Sequence, residues 1–369
     1  MNKVLHVLNS MNVGGAETFI MNVFRNIDHS RVQFDFLLNE KENFYAEEIA
    51  SLGGKIFFIL PRHCGFLRYH TIMKQFFKNH QGEYIAIHQH LSSLSSIEPL
   101  AAACQFGYPI RIAHSHSSSA PKSLLHRGLH YCNKLRIAGV ATHYLGCSDL
   151  ALRWVFGHTS AFPGAQMVNN GINTAAFAYN ETTRQRLRRQ LKLDGKLVFG
   201  HVGRFCEMKN HHFLLKVFER FLQINPQAHL LLVGTGPLLP ASRQLAQEWN
   251  IDKQVSFLGL RSDVAELLQA MDIFLFPSFF EGLPVALVEA QCAGLKVYCS
   301  DRITRDIALT DNIKFLDIAS PAERWASFIA SDYDGYIRRD VSQIIVDSGF
   351  GIGKTIQFLM DHLYCPTHE

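Results

Sequence analysis

No stretch of this 369-residue chain holds the run of about eighteen uncharged apolar residues that a spanning helix needs. The opening MNKVLHVLNSMNVGG has an apolar core only from Val4 to Leu8, too short for a signal peptide, and reads as a first strand. Cysteine is sparse. The eight are scattered without a C-x-x-C pair, which favours reduced thiols and a cytoplasmic location over a disulfide framework or structural zinc. Excess charge is also missing: the net charge of +4 argues against a dedicated nucleic-acid binder. The dinucleotide fingerprint G-x-G-x-x-G is absent, so nothing supports NAD binding. Short repeats and low-complexity segments are absent as well.

What is present is length, and alternation. A chain this long exceeds one hydrophobic core and suits two domains. VLHVLNS, VQFDFLL, KIFFIL, YIAIHQH and IRIAHSH read as short strands separated by helical stretches; in TFIMNVFRNI, Ile20, Val23, Phe24 and Ile27 recur at helical spacing. QMVNNGIN, residues 166–173, is a glycine-marked turn suited to a hinge. Beyond Gly195 a second series begins with KLVFGHVG, HLLLVG, VSFLG, DIFLFP, KVYCS and IKFL. Alternation of this kind predicts an α/β protein with two doubly wound, Rossmann-like parallel sheets, whose ligands bind beyond the carboxyl ends of the strands.

Residues just after strands therefore carry most weight. Gly14 and Gly15 follow the first strand, where glycine lets the backbone approach a ligand and a helix start offers N–H groups to an anion. In HVGRFCEMKNH, Arg204 and Lys209 follow the strand ending at Gly203, a guanidinium fork and a point charge suited to a diphosphate. SFFEGLPVALVEA sets Glu281 and Glu289 in a nearly apolar run. Pro284 and Gly294 bracket a helix expected over 285–293, which gives Glu289 an apolar face. A carboxylate there needs donors. Sugar or ribose hydroxyls would supply them; the alternative is an internal cation, with Lys296 the nearest in sequence.

In order, NVGGAE, VNNGIN, VGRFCEMKN, LLLVGTGP and the E-x7-E of FFEGLPVALVEAQCAG resemble the retaining GT-B enzymes of glycosyltransferase family 4, bacterial polysaccharide-biosynthesis type, from Val4 to about Tyr364. The resemblance implies an acceptor-side domain over 1–167, a nucleotide-sugar domain over 168–350 and a terminal helix over 351–369 that packs back on the first. It gives Glu289 the ribose hydroxyls, and Glu281 the donor sugar with Gly282 and Leu283 assisting. Arg204 and Lys209 would neutralise the leaving diphosphate without a required metal or other cofactor. Gly14 and Gly15 would approach the donor, and residues 259–261 would border the base. The family's active-site histidine falls on IAHSHSS, where His116 fits best and His114 also fits, as a neutral donor. The implied partners are a nucleotide-sugar, UDP-linked, and a saccharide or lipid-linked saccharide acceptor. The hinge lacks Pro-Asn-Gly and Glu281 lacks a Gly-Phe-Gly-Leu continuation, so the donor sugar stays open.

Other chemistry is open to some of these residues. His88, His90, His114 and His116 could converge on zinc, as in a metal-dependent hydrolase, although no carboxylate accompanies them. A non-catalytic sugar-nucleotide binder would use the same glutamates. GFGIGKT, residues 349–355, imitates a P-loop but has Ser348 where glycine is required. DYD, residues 332–334, imitates a metal-binding acid pair and reads better as a surface turn. The basic and aromatic segment 61–80 suits either a solvated helix face or an anionic bilayer, which would make the protein peripheral on the inner face of the membrane.

Overall fold

Short runs of β-branched and aromatic residues, closed by glycine or polar turns, form two all-parallel sheets. The computed structural model describes residues 1–117, 123–157, 162, 164–333 and 336–366. The chain divides into two units, Met1–Gly171 with Ile352–Glu369, and Ile172–Gly351.

In the first unit the strands are β1 (Asn2–Val7), β2 (Val32–Leu38), β3 (Ile56–Phe58), β4 (Ala86–Leu91), β5 (Ile110–Ser115), β6 (His143–Gly146) and β7 (Gln166–Met167). Their order is β3-β2-β1-β4-β5-β6-β7. Side chains alternate between the two faces, and each face is covered. Val4 packs with Phe24, Phe34 and Phe36 on one side. Leu5 and Val7 pack with Met73, Phe77 and Ile87 on the other. Burial on both faces explains why VQFDFLL is buried throughout, Asp35 included, whose carboxylate takes bonds from Lys55 N and Tyr84 Oη.

The terminal segment completes this unit. Leu359, Leu363 and Tyr364 join the core beside Val4 and Phe34. Asn2 Nδ2 donates to Tyr364 O at 2.7 Å, and Thr355 Oγ1 to Asn169 O at 3.1 Å. The P-loop imitation is thereby spent on packing: Thr355 is bonded within the fold, Gly351 pairs with Ile172, and Lys354 is exposed.

The second unit holds β8 (Val198–Val202), β9 (His229–Val233), β10 (Val255–Gly259), β11 (Ile273–Phe276), β12 (Lys296–Ser300) and β13 (Ile313–Leu316), in the order β10-β9-β8-β11-β12-β13. In both sheets the order reverses beside the first strand, at β1/β4 and at β8/β11. That is where an open α/β sheet leaves its ligand crevice. The basic run at 184–192 has a structural component: Arg184 and Arg188 converge on buried Asp272, which also accepts from Val198 N at 2.8 Å.

Candidate active site

The switch point of the second sheet gathers the sequence-selected residues. β8 runs out into Gly203 and Arg204, and this turn is clamped by the Gly234-Thr235-Gly236 turn after β9. Gly203 N donates to Val233 O, Phe205 N to Thr235 O, and Leu238 N to Phe205 O, at 2.9–3.0 Å. Gly234 and Gly236 have φ of +134° and +155°, and a Cβ on either would overlap the backbone of Gly203 or Phe205. Only glycine fits. This is the physical content of VGTGP, a motif whose role the sequence alone does not show.

Lys209 closes a short turn that ends at Asn210 in the left-handed region, where the Asn210 side chain accepts from Phe213 N and caps the His211–Leu222 helix. Two bonds tie this loop to the one after β11: Asn210 Nδ2 to Pro277 O at 3.3 Å and Phe279 N to Met208 O at 2.9 Å. They bring Lys209 Nζ to 2.7 Å from Glu281 Oε1 and to 4.5 Å from the Phe276 ring centroid. The cation that answers Glu281 is therefore Lys209. Lys296, the nearest in sequence, pairs instead with Asp332 at 2.9 Å, and Asp332 also accepts from Tyr298 Oη. Asp332 of the DYD imitation is thus committed internally, and Asp334 lies outside the described residues. Arg204 is exposed and makes no ion pair or hydrogen bond among the described residues.

Glu289 is the one charged residue of the Val285–Cys292 helix and is 7% exposed. The helix is buried on most sides and ends at Cys292, one residue earlier than the spacing predicts, with Gly294 at φ +68° just beyond it. Gly282 and Leu283 lie half-buried in the loop that enters it. Gly259, at φ +68°, ends β10, and Arg261 nearby is paired with Asp263 at 2.6 Å.

In the first unit Gly14 is extended, and Gly15 starts the Gly15–Asn26 helix. A Cβ on Gly15 would meet no protein atom within 4 Å, so internal packing does not require glycine there. The histidines of β4 and β5 do converge, and His6 of β1 joins them. His88 Nε2 lies 3.0 Å from His114 Nδ1, and His88 Nδ1 is 2.7 Å from Tyr364 Oη. His90 links His116 at 2.8 Å and His6 at 2.9 Å. Burial pushes His6 and His116 down to about 3, and His88, His90 and His114 well below the usual range, so the rings are neutral. The triads His6/His88/His90 and His90/His114/His116 each offer three imidazole nitrogens within 4.8 Å of one another, a donor set a zinc-like ion accepts. In the structure their bonds run to one another and to Tyr364. Sequence reading missed His6 and Tyr364; a histidine inside the apolar VLHVL strand was the available signal.

Two doubly wound parallel sheets, each with its own switch point, make a GT-B fold. Across 99% of this chain and 100% of the other, the backbone matches the crystal structure of Anabaena Alr3699/HepE in complex with UDP and glucose, with a TM-score of 0.76 and 18% identity. Residues 183–313 match the family model for glycosyl transferases group 1. EpsF of Bacillus subtilis (strain 168), named as a glycosyltransferase, is 36% identical over 89% of this chain and 87% of its own. The capsular polysaccharide biosynthesis glycosyltransferase CapH of Staphylococcus aureus is 26% identical over 79% of each. The chain belongs to the group 1 glycosyltransferases. Hydrolysis by a histidine-bound metal is not favoured by this membership.

Proposed function

We propose that the protein moves a sugar from a UDP-linked donor onto a saccharide or lipid-linked saccharide, with retention at the anomeric carbon, in envelope, capsular or exopolysaccharide assembly. The observation that carries this reading is the Lys209–Glu281 pair at the β8/β11 switch point, with the guanidinium of Arg204, unpaired among the described residues, on the same loop. Two cations beside free helix-start amides stabilise a departing diphosphate, and the acceptor hydroxyl attacks from the face it leaves. Glu281, oriented by Lys209, accepts from hydroxyls of the donor sugar with the Gly282 and Leu283 backbone alongside; Glu289 takes the ribose. His116 donates a hydrogen bond to the donor sugar, and Gly14 and Gly15 leave room for it. No metal is needed where these charges act. The UDP and glucose bound by HepE and the capsular role in the name of CapH support the donor and the pathway class.

A membrane-borne acceptor is supported by the Leu124–Arg136 helix, whose polarity is inverted. Its buried side carries His130 (1% exposed) and Asn133 (5%), bonded to Leu94 N and Leu94 O. Leu124, Leu125, Tyr131 and Leu135 stand out to solvent, Leu135 at 87% exposure. The helix has no acidic residue, and Arg127, Lys134 and Arg136 flank the apolar stripe, the composition of a surface that lies on an anionic bilayer. No helix among the described residues is long and apolar enough to cross one.

The test is a thermal-shift screen of nucleotide-sugars, in which a donor at 100 times its Kd adds about 2.7 kcal/mol, followed by UDP release on adding acceptor. Binding without acceptor-dependent release leaves a sugar-nucleotide binder. NMR of the product linkage reads the anomeric outcome, and unchanged turnover in EDTA is expected.

A further inference from the structure

We propose that His90 and His6 form a buried imidazole relay that holds His116 as its Nδ1–H tautomer, so that this ring offers the donor sugar an N–H and not a lone pair. The inference rests on the reading of His116 as the histidine that meets the donor, and it adds two positioning residues to that site.

The number of protons on the three rings fixes the choice of tautomers. His6 Nδ1 faces His90 Nε2, and His90 Nδ1 faces His116 Nε2, at 2.9 and 2.8 Å. Each such bond holds one proton, and a neutral imidazole has one N–H. Three neutral rings joined by two bonds therefore leave a single proton for the ends of the chain. It sits on His6 Nε2 or on His116 Nδ1, and whichever end lacks it presents a lone pair. Both end nitrogens are buried without a partner.

The two ends are not equivalent. His6 is enclosed by Phe34 at 4.2 Å, Phe36 at 5.7 Å and the edge of Tyr364 at 6.3 Å between ring centroids. A proton on His6 Nε2 would be an N–H locked away from any acceptor, the rarer and costlier kind of unsatisfied group. The other end, His116, lies just beyond the last residue of β5; its Nδ1 is covered too, but the ring as a whole is partly exposed, so a shift of this side chain can bring that nitrogen to a ligand, which no shift of the enclosed His6 ring can. The chain therefore runs His6 Nδ1–H to His90 Nε2, then His90 Nδ1–H to His116 Nε2, and leaves His116 Nδ1–H free to donate. Strand register enforces the alignment: β1 pairs with β4 at His6↔His88, and β4 with β5 at His90↔His114, so the rings share one face of the sheet. The neighbouring chain differs in kind. His114 reaches through His88 to the Tyr364 hydroxyl, which can donate or accept, so that chain fixes no tautomer. The same logic separates His116 from His114 as the oriented ring.

The test is nitrogen NMR of ¹⁵N-histidine-labelled full-length protein, which distinguishes Nδ1–H from Nε2–H. The His116 signals are identified among nineteen histidines by their loss in His116→Asn. Wild type and His90→Asn, whose amide can still donate toward His116 Nε2, are expected to show the Nδ1–H form. His90→Leu is expected to move His116 toward the Nε2–H form, with kcat/KM lower by about tenfold, as for other partners that orient a functional histidine. If His90→Leu does not fold, His90→Gln replaces it, since its longer amide cannot take the Nδ1 position. An Nε2–H or averaged signal in wild type, or a His116 tautomer indifferent to these variants, overturns the relay. A fully active His116→Ala, beside a wild type that shows the Nδ1–H form, would instead overturn the placing of His116 at the donor.

Discussion

Lys209 is held from two sides, by the Glu281 carboxylate and by the face of Phe276, so its ammonium is ordered before any ligand arrives. Such an arrangement stabilises charge that develops during reaction without reorganisation at that moment. Lys209→Ala is expected to lower kcat by roughly 100- to 1,000-fold with a smaller change in donor KM, as for loss of one preorganised donor. Steady-state kinetics with donor and acceptor varied separately read this split; an equal rise in KM alone would make Lys209 a binding residue. Glu289 sits differently, inside an apolar helix. Glu289→Gln keeps the shape and removes the charge, and is expected to weaken donor binding by about tenfold, roughly the 1.4 kcal/mol of one charge-assisted bond. Calorimetric titration with UDP-sugar and with UDP measures it, and an unchanged Kd for both removes Glu289 from the ribose site.

Among the elements, the two glycine turns make opposite predictions. Gly234→Ala must force a side chain into φ +134° and against the Gly203 carbonyl, so it should cost about 2 kcal/mol or more and loosen the Arg204 turn. Gly15→Ala meets empty space and should leave stability within about 0.5 kcal/mol, while donor affinity falls if the glycine exists for the ligand. Urea unfolding of both, beside donor titration, separates the cases. The strands were legible because parallel strands covered on both faces read as apolar runs such as VQFDFLL. Glu281 and Glu289 were legible as oddities because a charge in an apolar run is expensive. Their partners were not. Which cation meets Glu281 depends on two loops that are distant in sequence and tied through Asn210 and Met208. The 124–136 helix was missed for a related reason: its pattern is amphipathic either way round, and only the buried His130 and Asn133 reveal that the apolar side faces out. Leu124→Ser with Leu135→Ser should abolish flotation with anionic liposomes at low salt and leave thermal stability unchanged; persistent flotation would move the membrane surface elsewhere.

At the scale of the whole molecule, both sheets depend on histidines that are buried neutral. In the first unit burial lowers His6 and His116 to about 3, and His88, His90 and His114 lie well below the ordinary value of 6.5. In the second, His211 and His229 fall to about 4, and His201 lies well below the ordinary value because burial and then the neighbouring His211 disfavour its charge, against the bond from its Nδ1 to Leu275 O, which favours it. Above pH 6.5 these side chains are neutral in both the folded and the unfolded chain, so the full stability is present. Below it the unfolded chain takes up protons that the folded chain refuses, and stability falls with each unit of pH until the folded groups titrate near 4 to 3. Urea unfolding should therefore give a flat stability from pH 7 to 8 and a steep loss between about pH 6.5 and 4, on the linkage slope of several protons. Because each unit holds such histidines, two separable transitions would both shift. His6→Phe, which removes one titrating ring and keeps an aromatic in the pocket of Phe34 and Phe36, should make the acid slope shallower in the transition of the first unit alone. A slope that stays the same in this variant would mean that the ring is already protonated in the folded protein, and the proton count on which the relay depends would fail with it.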